Sequence, residues 1–188
     1  MSRILGSVAE CAAAEMGFAV AIAIVDHEGL LEYFARMEGT LPVSTELAVS
    51  KAYTAAALRM TTREVGQLAL PGNPLYGIQH SHGGKIILFG GGVPLKLRGQ
   101  VSGGIGISGG TVEEDEQVAG VVLDRLGEME RLAEWIKPLL PGKLPGNNRT
   151  SHLERRIGKA FLKEDGILPL EFSPILCGAF IIAFHDNP

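Results

Sequence analysis

Apolar residues recur at helical spacing along the first sixteen positions. Ile4, Leu5, Val8, Cys11 and Ala12 fall on one face, and Gly17 can close the helix. Phe18 to Val25 is then a continuous apolar run, which predicts a buried strand. Asp26-His27-Glu28-Gly29 has the residues of a tight turn, and Leu30 to Met37 resumes as the second strand of a hairpin. After a loop over Glu38 to Pro42, Ser44 or Thr45 is the expected cap of a second helix. Leu47, Val49, Ala52, Ala55, Ala56 and Met60 continue it. Its small residues, Ala52 to Ala57, predict close approach to a sheet. Thr61 to Glu64 has the form of another helix start, ending before Pro71-Gly72.

The next segment, residues 73–110, carries about half of the chain's 25 glycines and two of its five histidines. Glycine at this density is entropically unfavourable and is kept where backbones turn sharply or approach something closely. Two short apolar runs inside it, Ile86 to Phe89 and Val101 to Ile107, are bounded by glycine as buried strands are. Pro94 and Arg98-Gly99 between them supply turn chemistry. Thr111 then caps a helix whose first turn holds Glu113, Glu114 and Asp115, where acids complement the helix dipole. Its apolar positions run through Val118, Val121, Val122 and Leu126 toward Pro138. A proline- and glycine-rich linker follows, and then an apolar tail. The division expected is a domain over residues 1–140 and a linker and tail over residues 141–188.

Composition narrows the function classes. An apolar fraction of 46% with 20% charged residues suits an ordinary globular core. A net charge of −4 with scattered basic residues gives no footprint for nucleic acid. The longest apolar run, Ile175 to Phe184, is about half a membrane span, and no basic start leads into a long apolar run at the N-terminus. A cytoplasmic protein is expected, with no membrane partner. Cys11 and Cys177 sit among apolar residues, which predicts reduced, buried thiols.

Three motifs carry candidate chemistry. Gly104-Ile105-Gly106-Ile107-Ser108-Gly109 spells G-x-G-x-x-G, but the preceding chain is a hairpin and helices rather than parallel β-α units, which argues against a dinucleotide site. The acidic cluster at residues 113–116 points its side chains in different directions on a helix, which disfavours a metal site. His80-Ser81-His82-Gly83-Gly84 remains. Two histidines two residues apart on an extended loop share a side, and neutral imidazoles ligate transition metals. With no cysteine set nearby, a closed zinc site is unsupported; haem, which needs only one or two axial ligands, fits better. From the local residues alone, two loop histidines without a ligand is still the leading reading, and His27 is read as a solvated turn residue ahead of a ligand. Lys51, Tyr53 and Arg59 are the polar members of the second helix and are expected on its solvated face. A cation there beside a glycine-rich loop can also meet an anion.

Five ordered blocks resemble a known family: VAIAIVDHEG at residues 20–29, KAYTA at 51–55, PLYGI at 74–78, GKIILFGGGVP at 84–94 and GIGISGGTVEED at 104–115. They are similar to the GlcG/HbpS-like family, which includes haem-binding HbpS-type proteins and the C-terminal domain of PduO-type corrinoid adenosyltransferases. The likeness covers about residues 1–127. It implies an α/β (α+β), profilin-like fold, an antiparallel sheet of about five strands with helices packed against it. It also implies a homo-oligomer that binds haem or another tetrapyrrole, in haem or iron handling or in support of cobalamin-dependent catabolism. The alternative it leaves is a small-molecule enzyme or accessory factor in diol or glycolate catabolism, binding an organic acid in the same pocket. Family members carry Asn or another small polar residue near His80 and His82, so these histidines depart from the pattern. The site residues expected on this basis are His80 and His82 as metal ligands, Gly83 and Gly84 at the macrocycle, and Lys51, Arg59 and Lys85 toward propionates.

Overall fold

The computed structural model describes residues 1–136. The chain divides into two units, Met1–Gly127 and Glu128–Pro188. In the second, the described residues are 128–136, the end of the last helix. The linker and tail, including Cys177, lie outside the described residues.

Helix α1, Ser2–Met16, ends at Gly17, whose φ of 85° lets the chain turn back with bonds to the Ala13 and Ala14 carbonyls. Strands β1, Ala21–Asp26, and β2, Leu31–Arg36, form the expected hairpin. Asp26 organises its tip: Oδ1 accepts from the Glu28 and Leu30 amides at 2.8 and 2.9 Å. Helix α2, Pro42–Leu58, follows. Neither Ser44 nor Thr45 caps it. The helix starts two residues earlier on Pro42, whose ring presets helical φ and whose missing N–H costs nothing at that position. Helix α3, Thr62–Leu68, has a full capping box between Thr61 and Glu64.

One expected strand is absent and another takes its place. Ile86 to Phe89 is not in the sheet; strand β3 is Gly92–Leu97, six residues on, and pairs with β4, Gln100–Ser108. The apolar run is held to α2 instead. The Thr54 hydroxyl accepts from the Ile87 amide at 3.0 Å, and its one hydrogen lies between the Ser50 and Lys85 carbonyls at 2.8 and 3.1 Å. Pro94 is admitted to β3 because the sheet order β2-β1-β4-β3 places that strand at an edge. Arg98 and Gly99, with φ of 51° and 76°, form the two-residue return to β4.

The antiparallel sheet thus has four strands among the described residues, where about five were expected; the α+β class holds. Ala21, Ala23 and Val25 of β1 meet Ala48, Ala52 and Ala56 of α2 in a buried cluster of small side chains. Gly104 and Gly106 of β4 complete the close approach. A β-carbon at either would run into the carbonyls of Ala52 and Ala48. Helix α1 lies against β1 and β2. Helix α4, Val112–Ile136, opens with a reciprocal pair in which Thr111 N–H bonds Glu114 and Glu114 N–H bonds the Thr111 hydroxyl. Cys11, expected to be buried, is an exposed free thiol, because the apolar face of α1 turns Leu5, Ala9, Ala12 and Ala13 inward and leaves position 11 outside. No helix among the described residues is long and apolar enough to cross a membrane.

Candidate functional site

Helix α2 carries two unlike arrangements. The first is buried. Lys51, expected on a solvated face, is 0% exposed. Its Nζ donates to Asp115 Oδ2 at 2.6 Å and to the Ile107 carbonyl at 2.8 Å, and lies 5.0 Å from the Phe89 ring centroid. Asp115 is 3% exposed, and its Oδ1 accepts from the Gly110 amide at 3.1 Å. The acidic cluster at the start of α4 is therefore divided: Asp115 turns into the core, while Glu116 and Glu113 face outward to Arg63, with Glu116 bound by two guanidinium nitrogens at 2.6 Å. Burial lowers the Lys51 pKa below its ordinary value and raises that of Asp115; the hydrogen bond and charge of each partner oppose that drift.

Gly91 passes directly over this pair, while Gly90 lies against the Glu116 side chain and Gly92 against Thr62 and the Lys51 backbone. Gly91 has φ of 104°, and a β-carbon there would stand 2.7 Å from both Lys51 Nζ and the Ile107 carbonyl oxygen. Gly91 is the cover of a buried ion pair.

The second arrangement is at the surface. Tyr53 is two residues along α2. Its ring lies against Gly29 of the β1–β2 turn, where a β-carbon would approach the ring carbons to 2.7 Å. The His82 ring is 6.2 Å from the Tyr53 ring at a 50° tilt, and Lys85 Nζ lies 5.7 Å from its centroid. His80 and His82 do not sit on an extended loop. They occupy successive 3₁₀ turns, Ile78–His80 and His82–Gly84, joined by an extended Ser81, so strand alternation does not relate them. His82, Gly83 and Gly84 have φ of 50°, 66° and 83°. A β-carbon on Gly83 or Gly84 would meet nothing within 4 Å, so these glycines serve backbone conformation and leave open backbone at the surface.

The two histidines are held differently. His80 Nε2 lies 3.3 Å from Gln79 Nε2 within its own turn. His82 Nδ1 lies 3.0 Å from Ser81 Oγ, and Ser81 Oγ donates to the Ile78 carbonyl at 2.6 Å. The structure thus brings His82, Lys85 and Tyr53 together, puts Lys51 beneath Gly91, and leaves Arg59 exposed at the C-terminal end of α2 with φ of 57°. Among the described residues no three His, Cys, Asp or Glu side chains group as metal ligands would.

Sequence reasoning missed Asp115 as a core residue and Tyr53 and Ser81 as neighbours of His82. Lys51 had a readable signal. It stands three residues after Ala48 and four before Ala55, on the stripe of small residues that the helix buries.

A family model described as "Haem degrading protein HbpS-like" matches residues 2–124. An uncharacterised 15.0 kDa protein of the dhaT–dhaS intergenic region of Citrobacter freundii is 40% identical over 120 residues, covering 64% of this chain and 84% of that protein. The corrinoid adenosyltransferase PduO of the same organism is 44% identical over 107 residues, 57% of this chain but only 32% of the relative. Among solved structures, that of a PduOC–haem complex superposes with a TM-score of 0.63 at 38% identity, covering 65% of this chain and 88% of the other. Over a span that holds both the Lys51–Asp115 pair and the His82 turn, the chain belongs to the HbpS-like family.

Proposed function

We propose that this protein binds haem or a closely related tetrapyrrole, with His82 as an axial ligand. The observation that carries the reading is the state of the His82 imidazole. One ring nitrogen is engaged at 3.0 Å by Ser81, and the ring belongs to an exposed residue beside an aromatic side chain and a cation. Metal-bound histidines are commonly held at their second nitrogen in this way. Family membership and the haem complex of a 38% identical relative support the same ligand.

The residues present fit the group. Iron needs an accessible imidazole nitrogen, and His82 is exposed on open glycine backbone. The macrocycle needs apolar or aromatic surface. Tyr76 and Phe89, 67% and 41% exposed, lie in the loop between α3 and β3 that carries both histidines. Propionates need cations. The Lys51 ammonium is committed to Asp115 and Ile107, so that role falls to Lys85 and Arg59. When bound, haem would supply an iron centre open to redox change and small ligands. The domain we assign to this task is residues 1–140, acting as a homo-oligomer in the cytoplasm, in haem or iron handling or in support of cobalamin-dependent catabolism.

The test is a titration of the full chain with haemin, followed by absorbance. A saturable Soret shift is expected, weakened strongly by His82→Ala and little by His80→Ala. A wild-type protein that shows only weak, non-saturating change would overturn the haem reading and favour an organic acid as the ligand.

A further inference from the structure

We propose that Ser81 is the positioning residue of His82, fixing its tautomer so that Nε2 is the nitrogen presented to a metal. The inference rests on the haem reading for its purpose, but its physical content belongs to the ligand-free protein.

A serine hydroxyl has one hydrogen. Ser81 Oγ lies 2.6 Å from the Ile78 carbonyl oxygen, which can only accept, so that hydrogen is directed to Ile78. Toward His82 Nδ1, 3.0 Å away, the same oxygen can therefore only accept. The proton must sit on Nδ1, and the lone pair is left on Nε2. The Ile78 carbonyl also accepts the Ser81 backbone N–H at 2.9 Å, which anchors the serine twice to the preceding turn. Ser81 and Ile78 are half-buried, so the relay is partly shielded from water. Without it, a histidine followed by two left-handed glycines would have few restraints on its ring. Tyr53, on the rigid α2, supplies the other contact at 6.2 Å.

His80 has no such arrangement. Its Nε2 faces the Gln79 side-chain nitrogen at 3.3 Å, so the nitrogen a metal would need is turned to a neighbour in its own turn. The geometry thus separates two histidines that composition and spacing treat alike.

The experiment has two arms on the full-length protein. In the ligand-free protein, ¹⁵N shifts of the His82 ring at alkaline pH report which nitrogen carries the proton. The Nδ1–H tautomer is expected in the wild type and in Ser81→Thr, with loss of that preference in Ser81→Ala. In the haem titration, Ser81→Ala is expected to weaken binding about 10–100-fold, as other outer partners of metal-bound histidines do, and Ser81→Thr to restore it. A predominant Nε2–H tautomer in the wild type overturns the proposal, as does Ser81→Ala with wild-type tautomer and affinity. Wild-type protein that fails to take up haem would remove the haem reading, and the tautomer measurement would still decide the role of Ser81. Circular dichroism of Ser81→Ala guards against misfolding, and the wild-type tautomer stands whatever that variant does.

Discussion

Replacing Lys51 with methionine removes the cation from beneath Gly91 and leaves the Asp115 carboxylate in the core without its partner. Breaking a buried pair from one side typically costs about 3–5 kcal/mol, because the remaining charge is neither hydrated nor compensated. The Ile107 carbonyl loses its side-chain donor as well. Unfolding entropy of about 2.1 cal/mol/K per residue, applied to a unit of roughly this size, converts that loss into a Tm fall of about 10–18 °C. Asp115→Asn alone is expected to cost a similar amount. The double variant should cost less than the sum of the two by about 2–3 kcal/mol, since it leaves no lone charge behind whereas each single variant does. Acidity provides a second check. In the wild type, burial raises the folded Asp115 pKa above 3.8. In Lys51→Met the opposing pull of the ammonium is gone, and the pKa rises further. A carboxylate with a raised folded pKa contributes stability that is fullest at low pH and is lost as pH climbs through that pKa. The stability gap between variant and wild type should therefore close as pH falls from neutral toward 4. Denaturant unfolding across that range measures it. A Tm change of only a few degrees for Lys51→Met, or a gap indifferent to pH, would refute the account of the pair as a buried, mutually dependent unit.

Gly91→Ala should be among the most damaging single-methyl additions in this chain. The new carbon would sit 2.7 Å from Lys51 Nζ at a φ of 104°, with an expected loss of about 3 kcal/mol or more by thermal unfolding, and an unchanged Tm would contradict the packing described. Thr61→Ala removes the hydroxyl half of the α3 capping box and should cost about 1 kcal/mol. The Thr61 backbone amide first, and its hydroxyl second, hold the Glu64 pKa below its ordinary 4.5, so that share of stability is present above that value and lost as pH falls through the lowered pKa; the variant loses only the hydroxyl's part. Thr61→Ala should accordingly narrow its gap to wild type in acid, read by urea unfolding.

What could be read from the sequence was local. The β1–β2 hairpin was visible because a long apolar run meets Asp26 and Gly29, and α3 and α4 because Thr61 and Thr111 each precede an acid three residues on. The strand at Gly92–Leu97 was hidden for a physical reason. Ile86 to Phe89 has the composition of a buried strand, yet its Ile87 amide, like the Lys85 carbonyl just before the run, bonds the Thr54 hydroxyl, a partner more than thirty residues away that no window contains. Pro94 seemed to forbid the true strand until the sheet order made it an edge. The Lys51–Asp115 pair joins residues 64 positions apart, and the charges at both ends look like ordinary helix decoration. The glycine-rich segment stood out by composition, but in its densest run Gly91 covers a core ion pair that composition does not reveal. At His82 the residue type was legible. The Ser81 hydroxyl 3.0 Å from its Nδ1 and the Tyr53 ring beside it needed the fold.

The left-handed backbone at position 82 separates the choice of side chain there from the problem of folding. With φ of 50°, the position suits asparagine and histidine alike, the side chains that best tolerate that region after glycine. Either can be installed there without disturbing the sheet, the buried pair or the α2 packing, since the side chain is exposed and the turn is already formed by its glycines. An imidazole can thus be gained or discarded in one substitution at negligible structural risk.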